Sequence, residues 1–493
     1  MSEREEFRVV VVGAGLAGIA AAIKLERAGI DDVVVLEKAD RVGGTWRDNT
    51  YPGCGCDIPS NVYSFTFNPN PDWNSTFALQ PDILEYVEAT AEKFDVYRKI
   101  RFRTEVTEAR WDSEARRWLI DTTNGSFQSQ FAVFAGGPIT EPKLPDVPGI
   151  GTFTGDIFHS ARWNHDLDLS GKRVAVIGTG ASAVQFVPEI QPVVSQMYVF
   201  QRTASWVIPR VDMPVPGLLK SVFRKAPATQ RGMRHGLDGI LRLLTLAMRH
   251  EAAAKRLNII GTSFLRAQVK DPELRKHLTP KFSLGCKRLL ISNEFLPALT
   301  KPNVELVPHA LQSVGEHSVT AADGTTCEVD VIIFGTGFDV SHPPISRHIR
   351  GEDGTMLSDA WTASPEAYLG TTTVNVPNAF IMLGPNLLVY NSFLGIAEDQ
   401  MNYVIDAITK ADKYGVEVLS LKPEVLREFN DDIQEALQHT VFNHGGCSSY
   451  YLDENGKNFA AWPYSTTLMR KRLSEFDIES YDTVPYKKSA PVS

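Results

Sequence analysis

Cysteine is scarce in this chain of 493 residues: five, at Cys54, Cys56, Cys286, Cys327 and Cys447, form an odd, scattered set without zinc-ligand spacing. That set argues against a bound metal and for a cytoplasmic protein with reduced thiols. Positive charge is also in deficit, since Lys+Arg 50 against Asp+Glu 59 leaves a net charge of −9. A general nucleic-acid binder needs a positive field to displace counterions, so that class is excluded, although local basic sites for a phosphate remain open. No apolar run approaches the ~18–20 residues that span a bilayer. The best candidate, residues 9–23, is broken by Gly13, Gly15 and Gly18 and meets charge at Lys24. Stable membrane insertion is not expected. The first seven residues are mostly charged and hold no apolar core for a signal peptide. What is present is ample core material: 43% hydrophobic and 22% charged residues do not describe a disordered chain. At roughly 150 residues per domain, the length corresponds to about three units.

One motif occurs twice. Residues 7–12 are an apolar strand run followed by Gly13-Ala14-Gly15-Leu-Ala-Gly18 and an Ala/Ile/Leu-rich helix ending near Gly29. Residues 173–177 are a second such run, followed by Gly178-Thr179-Gly180-Ala181-Ser182-Ala183 and a helix toward Pro188. Each predicts strand, tight glycine turn and helix, with the backbone close enough to hold a pyrophosphate on the helix N-terminus. The fold class expected is α/β, with two Rossmann-like dinucleotide-binding domains.

Charge tells the two units apart. In the first, the next strand, Val33-Val34-Val35-Leu36, ends at Glu37. A carboxylate about twenty residues past the turn accepts ribose hydroxyls and repels a 2′-phosphate, which predicts FAD or NAD. In the second, the strand Met197-Tyr-Val-Phe200 runs into Gln201-Arg202-Thr203. A guanidinium and a hydroxyl there suit a 2′-phosphate, which predicts NADP(H). Together they describe a flavoprotein reduced by NADPH. A dithiol reductase would carry a redox cysteine pair just after its Gly-Gly-Thr segment. Here Gly43-Gly44-Thr45 is followed by Trp46, and Cys54-Gly-Cys56 is too tight for an unstrained disulfide.

Phe153-Thr-Gly155-Asp-Ile-Phe-His159-Ser-Ala-Arg-Trp163 fits F-x-G-x-x-x-H-x-x-x-W. By it the chain resembles the type I Baeyer–Villiger monooxygenases, class B of the flavin-dependent monooxygenases. Relatives that oxidise amines and sulfides have Tyr or Phe at the position of Trp163. Asn164 stands where the family usually has Pro or Asp. The resemblance extends through Tyr51-Pro52-Gly53, Gly285-Cys286-Lys287-Arg288, Gly335-Thr-Gly-Phe338, Gly384-Pro385-Asn386 and Gly446-Cys447-Ser448-Ser449-Tyr450. It implies an NADPH- and O2-dependent enzyme that inserts one oxygen atom beside a ketone carbonyl, through a C4a-peroxyflavin, to give an ester or lactone. The alternatives are an N- or S-oxygenating flavin monooxygenase and, in another class, a non-enzymatic FAD-binding sensor.

The resemblance also implies roles. Arg288 matches the active-site arginine that stabilises negative charge on the reacting oxygens, and Asp57 the carboxylate that orients it. For FAD the candidate set is Gly13, Ala14, Gly15, Gly18, Glu37, Lys38, Gly44, Thr45, Trp46, Asp57, Ile58, Tyr63 and Val106. For NADP it is Gly178, Thr179, Gly180, Ala181, Ser182, Ala183, Gln185, Arg202, Thr203, Lys287 and Arg288. Phe153, Gly155, His159 and Trp163 belong to a hinge between domains, so His159 is not assigned to catalysis. Tyr390, Phe393 and Tyr450 are candidate substrate-loop residues.

The expected layout is an FAD-binding domain in residues 1–140 and 341–493, the second part carrying a C-terminal substrate/NADP loop. A linker with the fingerprint covers 141–170, the NADP-binding domain 171–210 and 281–340, and a helical insertion 211–280. The insertion is Arg/Lys/Leu-rich with a helical period. That pattern fits the solvated face of packed helices, the reading preferred here, or association with a membrane surface.

Overall fold

The structure is a computed structural model, and it describes residues 4–249, 251–388 and 391–487. In the first sheet, Glu5–Val12 runs parallel to Val33–Leu36 on one side and Gly125–Phe134 on the other. Residues 9–12, 33–36 and 131–134 of these strands are buried on both faces, which is why those runs are continuously apolar rather than alternating. Val9, Val11, Val33 and Val35 pack into the core that holds the helix Leu16–Arg27. Val10, Val12, Val34 and Leu36 face Trp111, Trp118 and Ile120 of the antiparallel strands Val106–Asp112 and Arg117–Thr122. The chain re-enters this sheet late: Ile349–Arg350 joins Val106–Asp112, and Ala379–Ile381 joins Gly125–Phe134. The long helix Phe393–Tyr414 then packs on Leu16–Arg27.

The second sheet is wholly parallel, in the order Val304–Val307, Gln196–Phe200, Arg173–Ile177, Val331–Phe334, Asp156–His159. Its last strand lies in the segment read above as a linker. Residues 156–159 therefore do more than connect, because Ile157 and Phe158 pair with the buried strand Val331–Phe334 and complete that sheet's edge. The insertion consists of the helices Gly217–Lys225, Pro227–Arg249, Glu251–Gln268 and Pro272–His277. Its two ends are tied by the parallel pair Val207–Ile208 and Leu290–Ile291. This closure sets Lys287 and Arg288 beside the chain leaving Arg202. Among the described residues, no helix is long and apolar enough to cross a membrane.

Candidate active site

Both glycine turns are places where a side chain has no room. Gly13 has φ +101°, and a Cβ there would lie 2.7 Å from the Ala135 carbonyl oxygen. Gly178 has φ +108°, and its Cβ would lie 2.6 Å from that of Gly335. The helices start at Gly15 and Gly180 without a side-chain cap or an acidic residue in the first turn. Their positive ends are thus open to an anion. Gly44 covers Gly15 so closely that a Cβ on it would come 3.0 Å from the Gly15 Cα. These cradles fit the pyrophosphates of FAD and NADP(H).

The strand ends differ as their charges require. Glu37 is only 4% exposed. Its Oε2 accepts a hydrogen bond from the Ala14 N–H (2.7 Å), and its Oε1 accepts from the Ala39 N–H (2.9 Å) and Arg47 Nη1 (3.0 Å). The carboxylate is therefore fixed against the glycine turn. In the second unit Arg202 and Thr203 are exposed, and Lys287 stands half-buried with its ammonium 5.3 Å from the Phe282 ring centroid. Burial first, and then the Arg202 charge, push the Lys287 pKa down. Two cations held within each other's field are a site for a multiply charged anion.

Between the units, Arg288 donates from Nε to Asp57 Oδ2 (2.8 Å) and from Nη2 to Asp57 Oδ1 (2.6 Å). Asp57 raises the arginine pKa well above its ordinary value, so the guanidinium is a fixed cation. Trp46 Nε1 donates to the Tyr63 hydroxyl at 2.9 Å, with the rings edge to face. Cys54 and Cys56 are free and buried. Burial lifts the Cys54 thiol to about 12 and pushes Cys56 up as well, so neither supplies the thiolate that dithiol chemistry needs.

The C-terminal loop is seated on the same segment. Cys286 and Cys447 form a disulfide across a sequence separation of 161 residues, which corrects the expectation of uniformly reduced thiols. Neither local spacing nor a shared motif reveals a pair so distant. The Ser283 N–H donates to the Gly445 carbonyl (2.8 Å), and a Cβ on Gly445 would come 2.5 Å from the Cys286 Cβ. Tyr450 is exposed and Tyr451 is buried, their rings 4.6 Å apart.

Residues 6–224 match the family of flavin-binding monooxygenase-like proteins (FMO-like). A Baeyer–Villiger monooxygenase of Streptomyces coelicolor is 44% identical over 97% of this chain and 93% of its own length. Another from Pseudomonas aeruginosa is 39% identical over 96% and 91%. This chain belongs to the Baeyer–Villiger monooxygenase family. A steroid monooxygenase solved with NADP superimposes on 98% of this monooxygenase, and over 100% of its own chain, with a TM-score of 0.86 and 30% identity. The two dinucleotide-binding domains are thus the architecture of a flavin-dependent oxidoreductase.

The remaining candidates fall at several places in this monooxygenase. Gly18 is packed so tightly that a Cβ would lie 1.8 Å from the Gly13 oxygen. Ala14 and Ile58 are buried, Thr45 opens the short helix Thr45–Asp48, and Lys38 is exposed. Val106 is buried in the sheet core, near the Thr104 N–H that donates to the Glu37 carbonyl (2.9 Å). Thr179, Ala181, Ser182 and Ala183 form the second turn and the first turn of the helix Ala181–Ile190. Gln185, one turn on, reaches across to the first unit. It accepts from the Tyr51 hydroxyl (2.9 Å) and donates to the Gly55 carbonyl (3.0 Å), so its side chain joins the two domains. In the fingerprint, a Cβ on Gly155 would lie 2.2 Å from the Asp330 oxygen, and the Phe153 ring packs beside it. Trp163 packs on Phe158 and on Phe186 of the neighbouring helix. Burial lowers the His159 pKa to about 4, leaving a neutral ring against Phe338. Phe393 is half-buried against the core, and Tyr390 lies outside the described residues. Arg47, the partly buried partner of Glu37, was missed by sequence reasoning. Its only signal was its closeness to the Gly43-Gly44 turn.

Proposed function

We propose that this chain is an FAD-containing, NADPH-dependent Baeyer–Villiger monooxygenase that converts a ketone to an ester or lactone, with Arg288 as the charge-stabilising residue. The observation that carries the reading is the bidentate Arg288–Asp57 pair, set between the Trp46–Tyr63 wall of the first unit and Lys287 of the second. Glu37 and the 13–18 turn hold FAD, while Arg202, Thr203, Lys287 and the 178–183 turn hold NADPH. When bound, FAD supplies hydride acceptance and oxygen activation. The protein supplies position and electrostatics. Arg288 presents a permanent positive charge where negative charge develops on the reacting oxygens, and in a water-poor site such a charge contributes several kcal/mol. Asp57 aims the guanidinium through its two hydrogen bonds. The loop pinned at Cys447 covers this segment and limits the entry of water. The enzyme works in the cytoplasm, where NADPH is regenerated.

Support comes from the family membership and from Trp163, which occupies the tryptophan position of the fingerprint. A panel of ketones, amines and sulfides, assayed for NADPH consumption with product identification, tests the reading. Esters or lactones from ketones are expected. N-oxides or sulfoxides, with no ester from any ketone, would assign the chain to heteroatom oxygenation instead.

A further inference from the structure

The helical insertion presents apolar side chains to solvent where packed helices would hide them. On Pro227–Arg249, Ile240 (63% exposed), Leu243 (68%) and Leu246 follow one another at intervals of three residues along one stripe, with Met233 seven residues before Ile240. On Gly217–Lys225, Leu218 (79%) and Val222 share a face. On Glu251–Gln268, Ile259 (67%) and Ile260 are exposed together. Single exposed leucines are ordinary, but a run of them along three consecutive helices is a surface that binds something.

Charge identifies the partner. Between residues 217 and 268, Lys and Arg outnumber Asp and Glu ten to two, a local charge of +8 inside a chain of net −9. Lys225, Arg231, Arg256 and Arg266 are exposed. None of these four forms an ion pair among the described residues. Arg231 and His235 lie beside the apolar stripe on the same helix. Helices with exposed apolar residues flanked by cations are the pattern that lies in the plane of a bilayer interface. Two copies of this chain meeting through the same face would set two positive fields against each other, so self-association is disfavoured.

We infer that the exposed face of the insertion docks on an anionic phospholipid membrane, lying in its interface without spanning it. The docking is reversible, since each contributing cation near a charged surface strengthens binding only about fivefold.

The test is sedimentation of the FAD-loaded enzyme with vesicles of phosphatidylcholine alone and of phosphatidylcholine mixed with phosphatidylglycerol. The expected result is co-sedimentation with the mixed vesicles only, falling sharply between about 0.1 M and about 1 M salt as the screening length drops from about 10 Å to about 3 Å. Arg231→Ala and Arg256→Ala, both exposed and in no ion pair among the described residues, should each weaken binding about fivefold and leave NADPH consumption unchanged. The double variant Ile240→Glu, Leu243→Glu should abolish binding. If that variant misfolds, as its flavin absorbance and melting curve will show, the two arginine variants still decide. Equal binding to both vesicle types, or arginine variants that bind like wild type, would overturn the inference. So would a wild-type dimer that ignores vesicles and dissociates in the double variant, which would make the face a self-interface.

Discussion

The two glycine turns share a backbone and differ in the side chains at the end of the strand that follows. Gly13 and Gly178 have φ values of +101° and +108° and face the carbonyl oxygens of Ala135 and Gly335 at nearly the same separation. Beyond that point they diverge. The third position is Gly18 in one and Ala183 in the other; the first has no space for a methyl group, whereas Ala183 carries one and is fully buried. At the strand end, Glu37 is buried and fixed by backbone and Arg47, whereas Arg202 is exposed beside a half-buried lysine. In the proposed function the pyrophosphate is held by backbone, which both units possess, and the ribose by a side chain, which each supplies differently. Nucleotide choice would then be separable from fold.

Swapping the third position should give the largest effect. Gly18→Ala forces its Cβ into the Gly13 carbonyl and should yield protein that retains no FAD, or no fold. Ala183→Gly costs only the ~1 kcal/mol of a helical glycine and should lower NADPH kcat/KM less than tenfold. Comparable losses in both variants, measured by flavin content and kinetics, would mean the two turns are not distinct at this position.

Next comes Glu37→Gln. Arg47 is nearly buried against this carboxylate, and removing one partner of a buried pair costs about 3–5 kcal/mol. Purified variant protein should lose FAD on gel filtration and recover colour only with excess cofactor. Retention like wild type would place the ribose elsewhere.

Sequence alone exposed much of this. The runs at 33–36 and 173–177 become strands with those same ends, because buried parallel strands and glycine turns leave local marks. The places of Glu37 and Arg202 at the strand ends were legible for the same reason, each standing at a fixed distance from its turn. What stayed hidden depends on contacts between distant segments. The strand Asp156–His159 needed its partner at 331–334, Gln185 needed Gly55, and Cys286 needed Cys447. The exposed face of the insertion was hidden for another reason: a helical period shows that a face exists but does not show whether anything covers it.

A smaller effect separates NADPH from NADH. Charge-assisted hydrogen bonds contribute roughly 1.5–3 kcal/mol, so Arg202→Ala or Lys287→Ala should reduce NADPH kcat/KM about tenfold or more and leave NADH turnover nearly unchanged. Equal losses for both coenzymes would remove these residues from the 2′-phosphate. The pH dependence adds a sharper mark. Because the Lys287 pKa is lowered, its charge is lost at a pH below the ordinary lysine range, and a bound phosphate favours the protonated form. NADPH binding should therefore take up a proton, and KM should rise with pH before an ordinary lysine would titrate. Lys287→Arg, which keeps its charge, should flatten that rise in a KM–pH profile.

The most direct measurement is a single-turnover comparison of FAD-loaded wild type and Arg288→Ala, following flavin reduction by NADPH and then ester formation from a ketone that wild type converts. Arg288 is paired with Asp57, and in the proposed function its charge serves the oxygenation rather than the hydride transfer. The variant should still be reduced, within about tenfold of the wild-type rate, while ester disappears and the oxygen is recovered as hydrogen peroxide. Ester formed at near wild-type yield would contradict the role of Arg288, and with it the reading of the Arg288–Asp57 pair as the centre of the site.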